Sequence, residues 1–196
     1  MKKCTLWSFA MTPAICLAWT GDAKGSIVLW SSLNGGNDHY YERVDDLGLT
    51  WDQARVAAEN RTYSGVDGYL ATITSAAENG FIINNLGGAA LIKYSLGGFQ
   101  ISESQEPAGG WQWVTGEPWS YTNWAPGEPN NSGPFGPESA LTFRGDVNPA
   151  IGLWNDVTQN HPLDGGYVVE YPTPEPATFF MMCALVVTIR RRPMRK

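Results

Sequence analysis

Residues 121–139, YTNWAPGEPNNSGPFGPES, are dense in proline, glycine and asparagine, the residues that build turns. A plain connection has no need of the carboxylates Glu128 and Glu138, nor of several side-chain amides, in so short a stretch. Further on, Asn155 and Asp156 stand together in LWNDVT (153–158). Calcium takes about six to eight oxygen ligands from carboxylates, amide and backbone carbonyls and water. Glu128, Asn130, Glu138, Asn155 and Asp156 are such an oxygen set, with no thiolate and no required imidazole, and it favours calcium over zinc, copper or iron. Proline between two of these residues has a use, because an X-Pro bond reaches cis at a cost of only about 0.5–1 kcal/mol. A cis Glu128-Pro129 bond would turn the flanking side chains toward one point. Read alone, Glu-Pro-Asn is first of all a turn; Trp154-Asn155-Asp156 downstream is what gives the clamp its second half.

The chain around this loop has 196 residues, a formal net charge of −6 and 43% hydrophobic residues, which suits one globular domain with appendages. An acidic balance with most basic residues at the two ends argues against a nucleic-acid partner. Residues 1–23 read as a secretory signal peptide: Met1-Lys2-Lys3, an apolar run from Cys4 to Trp19, then Thr20-Gly21-Asp22-Ala23. Cys16 lacks the small preceding residue of a lipidated cysteine. At the other end, residues 172–196 carry Pro174-Glu175-Pro176, an uncharged run from Ala177 to Ile189, and a basic tail from Arg190. Those thirteen residues give roughly 20 Å of helix, short of the ~30 Å hydrocarbon core, with arginines placed to hold the inner side of a membrane. Cys4, Cys16 and Cys183 all fall in these end segments, so the middle of the chain must be stabilised by packing and bound ions rather than disulfides.

Within the middle, Tyr40–Val44 reads as a first strand, and Thr50-Trp51-Asp52-Gln53 as a capping box opening a helix to about Asn60. A second box signature at Ser75–Glu78 opens a helix with the apolar pairs Ala77/Phe81 and Ile82/Leu86, stopped at Gly87-Gly88. Beyond Gly88 the helical period gives way to short aromatic strands at 93–96, 111–114, 140–143 and 166–171. Two early helices and a strand-rich, loop-rich second half predict an α+β domain with a functional loop region between about 100 and 160.

These motifs together resemble the C-type lectin-like fold over roughly residues 38–171. The resemblance is carried by TWDQARVAAE (50–59), GYLATITSAAEN (68–79), KYSLGGFQ (93–100), GGWQWVTGEP (109–118), YTNWAPGEPNN (121–131), LWNDV (153–157) and GYVVEY (166–171). It implies two helices with two small antiparallel sheets, a long loop carrying Ca2+, and Glu128, Asn130, Glu138, Asn155 and Asp156 as ligands of both calcium and sugar, with Pro129 cis. The Glu-Pro-Asn order goes, in that family, with mannose, glucose, N-acetylglucosamine or fucose, so the implied partner is a glycan or exopolysaccharide. The C-terminal segment resembles the bacterial PEP-CTERM sorting signal, with Pro174, Glu175 and Pro176 as its recognition triplet. That resemblance implies an exosortase-type processing enzyme, transient passage through the inner membrane, and delivery to the cell surface or extracellular matrix.

The chain also departs from the lectin pattern. The family's disulfides would need cysteines near Ala58, Ala140, Val169 and the segment 156–161, and none is present. Gly133-Pro134-Phe135-Gly136-Pro137 lengthens the loop before Glu138, and Asn131 stands where an acidic residue would support an auxiliary ion. Trp124 reads first as a core residue, stacking on a sugar being its other reading. No enzyme is expected. His39 and His161 are far apart, no nucleophile stands in a recognisable setting, and a calcium shared by Glu128 and Glu138 would leave no proton donor for glycoside hydrolysis. Arg144-Gly145-Asp146 is ordinary turn sequence, and Asn60-Arg61-Thr62 and Asn130-Asn131-Ser132 match a glycosylation pattern idle in a bacterial chain. The other function class is a structural or adhesive matrix protein that uses the same scaffold to bind protein, with calcium ordering the loop.

Overall fold

The computed structural model describes residues 25–101, 105–145 and 151–173. The expected signal peptide and the expected C-terminal sorting segment from Pro174 onward lie outside the described residues. Among those described, no helix is long and apolar enough to cross a membrane.

The strands are β1 (Val28–Trp30), β2 (His39–Val44), β3 (Thr62–Tyr63), β4 (Val66–Asp67), β5 (Tyr69–Leu70), β6 (Ser95–Gln100), β7 (Trp111–Trp113), β8 (Ala140–Phe143), β9 (Trp154–Val157) and β10 (Tyr167–Tyr171); the helices are α1 (Trp51–Glu59) and α2 (Ala76–Leu86). One antiparallel set joins β1, β2 and β10, with β5 also on β10; another joins β6, β8 and β9, with β7 on β6. A parallel pairing, Tyr167 with Ser95, links the two sets into one eight-stranded sheet. The last strand therefore lies beside β2, near the start of the described chain, and closes the domain into a loop.

Helix α1 begins where the sequence says it should. Thr50 Oγ1 accepts from the Gln53 N–H at 3.2 Å, and Gln53 Oε1 accepts from the Thr50 N–H at 2.9 Å, satisfying two donors that the first helical turn leaves open. The second box forms only halfway. Ser75 caps α2 by accepting from the Glu78 N–H, but the Glu78 carboxylate does not return to Ser75. It accepts instead from Thr74 N and Oγ1 and from the Tyr41 hydroxyl, because Tyr41 of β2 stands 2.5 Å away with no better acceptor.

The core has two parts. Around α1, Trp51, Ala54, Ala58, Leu70, Ala140, Tyr167, Val169 and Tyr171 pack into one cluster. Ala58, Ala140 and Val169, where the lectin pattern would place cysteines, are each fully buried there, and Ala140 pairs with Val157 across β8 and β9. Close packing thus occupies the places that bridges would hold. The second cluster runs from α2 and β1 to the tryptophans Trp111, Trp113 and Trp154, with Trp119, Tyr121 and Trp124 against it. Trp154 is fully buried at its centre, edge-on to Trp113, Tyr121 and Trp124 at 5.5–5.9 Å, with Nε1 donating to Asn79 Oδ1 at 3.0 Å.

A buried polar knot ties β2, β10 and α2 together on the side of α2. His39 Nδ1 lies 2.6 Å from Glu170 Oε1, Tyr41 bridges Glu170 and Glu78, and Thr72 donates to both Glu170 and Glu117. The Glu170 hydrogen bond raises the His39 pKa against the effect of burial, and burial followed by the Glu170 charge raises that of Glu78. Both shifts have the same sign in stability. Each contributes fully below its ordinary value, 6.5 for His39 and 4.5 for Glu78, and is lost as pH rises through the higher folded value. The denaturation midpoint should therefore fall as pH climbs through and beyond the ordinary histidine range. Replacing His39 with Gln should remove a stabilisation on the order of 1.5 kcal/mol on the acid side and flatten that slope. A calorimetric pH series in which wild type and variant run parallel would contradict this.

Candidate functional site

The loop between β7 and β8 and the strand β9 meet beside the tryptophan cluster. Trp124 forms an isolated bridge with Trp154, Ala125 N donates to Trp154 O at 2.9 Å, and Trp154 N donates to Asn123 O at 2.9 Å. Because Trp154 is locked in the core, the next two residues are held against the Glu-Pro-Asn segment. Asp156 is fully buried; its carboxylate accepts from Asn130 N at 3.0 and 3.2 Å and from Asn131 N at 2.7 Å. Trp124, half-buried and 4.8 Å from Trp111, belongs to the core rather than to an open sugar platform.

The rest of the loop is knitted by its own side chains. Asn130 Oδ1 accepts from Ser132 N at 2.7 Å, a Glu138 oxygen accepts from the same N–H at 2.9 Å, and Asn131 Oδ1 accepts from Glu138 N at 2.8 Å. The Glu128-Pro129 peptide is cis, as is Glu106-Pro107. Glu128 is nearly buried, and Arg144 Nη1 lies 3.0 Å from its Oε1. Asn155, on β9 opposite Thr142, is half-exposed at the edge of the loop, with its amide donating to Asp156 O. The structure thus brings Asn130, Glu138 and Asp156 into one hydrogen-bonded loop, with Asn155 next in the chain and Glu128 on the near side of Pro129.

Burial pushes the Glu138 carboxyl up to about 7, with the charges of Asp156, Glu128 and Glu106 acting in the same direction and the Ser132 N–H opposing them. Carboxylates crowded in this way, flanked by amide oxygens, are a donor set that fits a hard divalent cation. Among the described residues, no three His, Cys, Asp or Glu side chains gather closely enough to hold a metal by themselves. The set mixes carboxylates with amides, and its carboxylates are engaged by backbone N–H groups and by Arg144.

Two neighbours of the site were not legible as such. Arg144 reads in sequence as part of a turn tripeptide, but Arg144 N donates to Leu153 O at 2.8 Å, which sets it at the exit of β8 beside β9 and within reach of Glu128. Glu106 belongs to a distant Glu-Pro pair, and only the fold puts its charge near Glu138. Its Glu-Pro dipeptide does not single it out, since Glu117-Pro118 carries the same pair.

No family model matches the chain. An alignment 146 positions long, covering 68% of the chain, is 34% identical to part of halomucin from Haloquadratum walsbyi. A stretch of 125 residues, 64% of the chain, is 33% identical to the low affinity immunoglobulin epsilon Fc receptor of Mus musculus. The matched region spans only 1% of halomucin and 32% of the receptor. Among solved structures, the cow C-type carbohydrate-recognition domain of CD23, determined in the presence of a GlcNAc2Man3 oligosaccharide, superposes with a TM-score of 0.54 at 26% identity, covering 70% of this chain and 90% of that one. The chain carries a C-type lectin-like domain, and the α+β arrangement described above is the C-type lectin-like fold.

Proposed function

We propose that the protein is a calcium-dependent lectin whose loop residues Glu128, Asn130, Glu138, Asn155 and Asp156 hold Ca2+ and a sugar together. The observation that carries this reading is the pairing of Asp156 with the backbone of Asn130 and Asn131, which sets the Glu-Pro-Asn segment against Asn155-Asp156. A bound calcium ion would supply coordination positions that two neighbouring sugar hydroxyls can fill in place of water. The protein's part is to complete each hydroxyl: carboxylates accept its proton, and the Asn130 and Asn155 amides donate to its oxygen. The likeness to a carbohydrate-recognition domain supports a glycan or exopolysaccharide as ligand, and the Glu-Pro-Asn order supports a mannose, glucose, N-acetylglucosamine or fucose type. Binding rather than catalysis is the activity. Export to the cell surface or extracellular matrix, with exosortase-type processing at Pro174-Glu175-Pro176 and transient membrane passage, belongs to the same proposal. The mass of the mature protein tests it, and an intact C-terminus would count against processing.

A sugar array run with calcium and again with chelator tests the lectin reading. Signals of the mannose type that vanish with chelator are expected. The double variant Glu128→Gln, Asn130→Asp reverses the acid and amide order and should move preference toward galactose; unchanged mannose binding would refute the assignment. The second reading, a structural or adhesive matrix protein, draws on the Arg144–Glu128 ion pair, in which a protein cation already neutralises one proposed ligand. It predicts thermal stabilisation by calcium with no glycan bound.

A further inference from the structure

A cleft of about 410 Å³ opens from the candidate site, with Glu138 and Asn155 among its lining residues. Pockets of about 300–1,000 Å³ accommodate small organic ligands. The outer wall of the cleft is the inserted segment that lengthens the loop before Glu138. Gly133 and Gly136 bridge each other across a turn, Thr158 Oγ1 donates to Gly136 O at 3.2 Å, and Phe135 stacks on His161 with ring centroids 3.6 Å apart at 18°. Gly133 itself lies against Glu138, where a Cβ would come within 2.5 Å of the carboxylate. The insertion is therefore anchored at both ends, to the proposed ligand loop and to the segment after β9. Phe135, with one face covered by His161, lines the cleft and is 61% exposed, which leaves ring surface open to a ligand. The ion pair between Lys93 Nζ and Asp164, at 2.6 Å, also lines the cleft.

We propose that this cleft is an extended subsite for a linear oligosaccharide of neutral hexoses, whose second and third residues lie along Phe135 toward Lys93 and Asp164. The proposal rests on the lectin reading above, with the first residue at the calcium loop. A pyranose offers an apolar C–H face and a rim of hydroxyls. The open face of Phe135 suits the first, and the Lys93–Asp164 pair supplies both donors and acceptors for the second. Of the charged groups lining the cleft, Lys93 pairs with Asp164 and Arg144 with the neighbouring Glu128, and the remaining one, Glu138, is an acid, so the cleft offers no surplus cation to a uronic or sulfated chain and favours a neutral one.

The test is calorimetric titration of the purified protein in calcium with methyl mannoside and with a linear mannotriose, for wild type and Phe135→Ala. Wild type should bind the trisaccharide about three- to tenfold more tightly than the monosaccharide, and Phe135→Ala should bring that ratio close to one. His161 ring resonances should shift with the trisaccharide and not with the monosaccharide. Equal affinities in wild type, or a ratio that Phe135→Ala leaves intact, would overturn the subsite while the lectin reading stands. Binding of neither sugar would overturn the lectin reading, and the subsite with it.

Discussion

Replacing Asp156 with alanine is expected to lower calcium affinity by at least ~100-fold and to abolish sugar binding with it. The size of the effect follows from the two positions this carboxylate holds. It is a proposed ligand, and it is also the acceptor for the N–H groups of Asn130 and Asn131, at 2.7–3.2 Å. Removing it leaves those donors without their partner in a half-buried loop, at about 1–3 kcal/mol, so the Glu-Pro-Asn segment would be free to leave β9. Asp156→Asn separates the two contributions. It keeps one oxygen to accept from the loop but carries no charge, so the fold of the loop should survive while calcium affinity still falls. Isothermal titration with calcium reads both variants, and wild-type affinity in either would show that Asp156 is not a ligand.

The second large effect lies in the core. Trp154→Ala should destabilise the protein by about 3–5 kcal/mol, the usual cost of emptying a buried indole site. Trp154 is fully buried, touches Trp113, Trp119, Tyr121 and Trp124, and donates to Asn79 Oδ1, so its loss opens a cavity and leaves a buried amide oxygen short of a partner. Against a typical total of about 5–15 kcal/mol, that is enough to put a sizeable fraction of molecules in the unfolded state on mild heating. Denaturant titration measures it, and a cost below about 1 kcal/mol would mean that the surrounding rings collapse into the space. Because Asn155 and Asp156 follow directly, the same variant should weaken calcium binding without removing any ligand.

Helix α1 and the start of α2 were legible because capping is local chemistry: Thr50 with Gln53, and Ser75 with the Glu78 N–H. The destination of the Glu78 carboxylate was not, since its competitor Tyr41 is distant in the chain. The expected first strand at Tyr40–Val44 exists as β2, but β1 precedes it; three residues, VLW, are too few to show an alternation. β6 runs to Gln100 rather than ending near Leu96, because Gly97 and Gly98 read as punctuation. Packing gives them their real use: a Cβ on Gly97 would fall 2.4 Å from Leu70 O, and one on Gly98 would fall 2.7 Å from the Leu141 side chain. At the proposed site, the types and order of the acid and amide residues pick out the candidates, and the fold adds that Asn130, Glu138 and Asp156 are joined by backbone hydrogen bonds. Arg144, Glu106 and the cleft behind Phe135 could not, because each depends on which strands lie side by side.

Under the proposed function, Glu128, Asn130 and Glu138 of the loop and Asn155 and Asp156 of β9 share one calcium ion that a sugar can reach. Calcium titration of the purified protein by calorimetry, with and without methyl mannoside, tests it most directly. The account predicts a saturable calcium site that is lost in Asp156→Ala, with tighter calcium binding when the sugar is present, because each ligand must favour the other equally. No calcium heat, or calcium binding unaffected by both the sugar and the Asp156→Ala change, would contradict it.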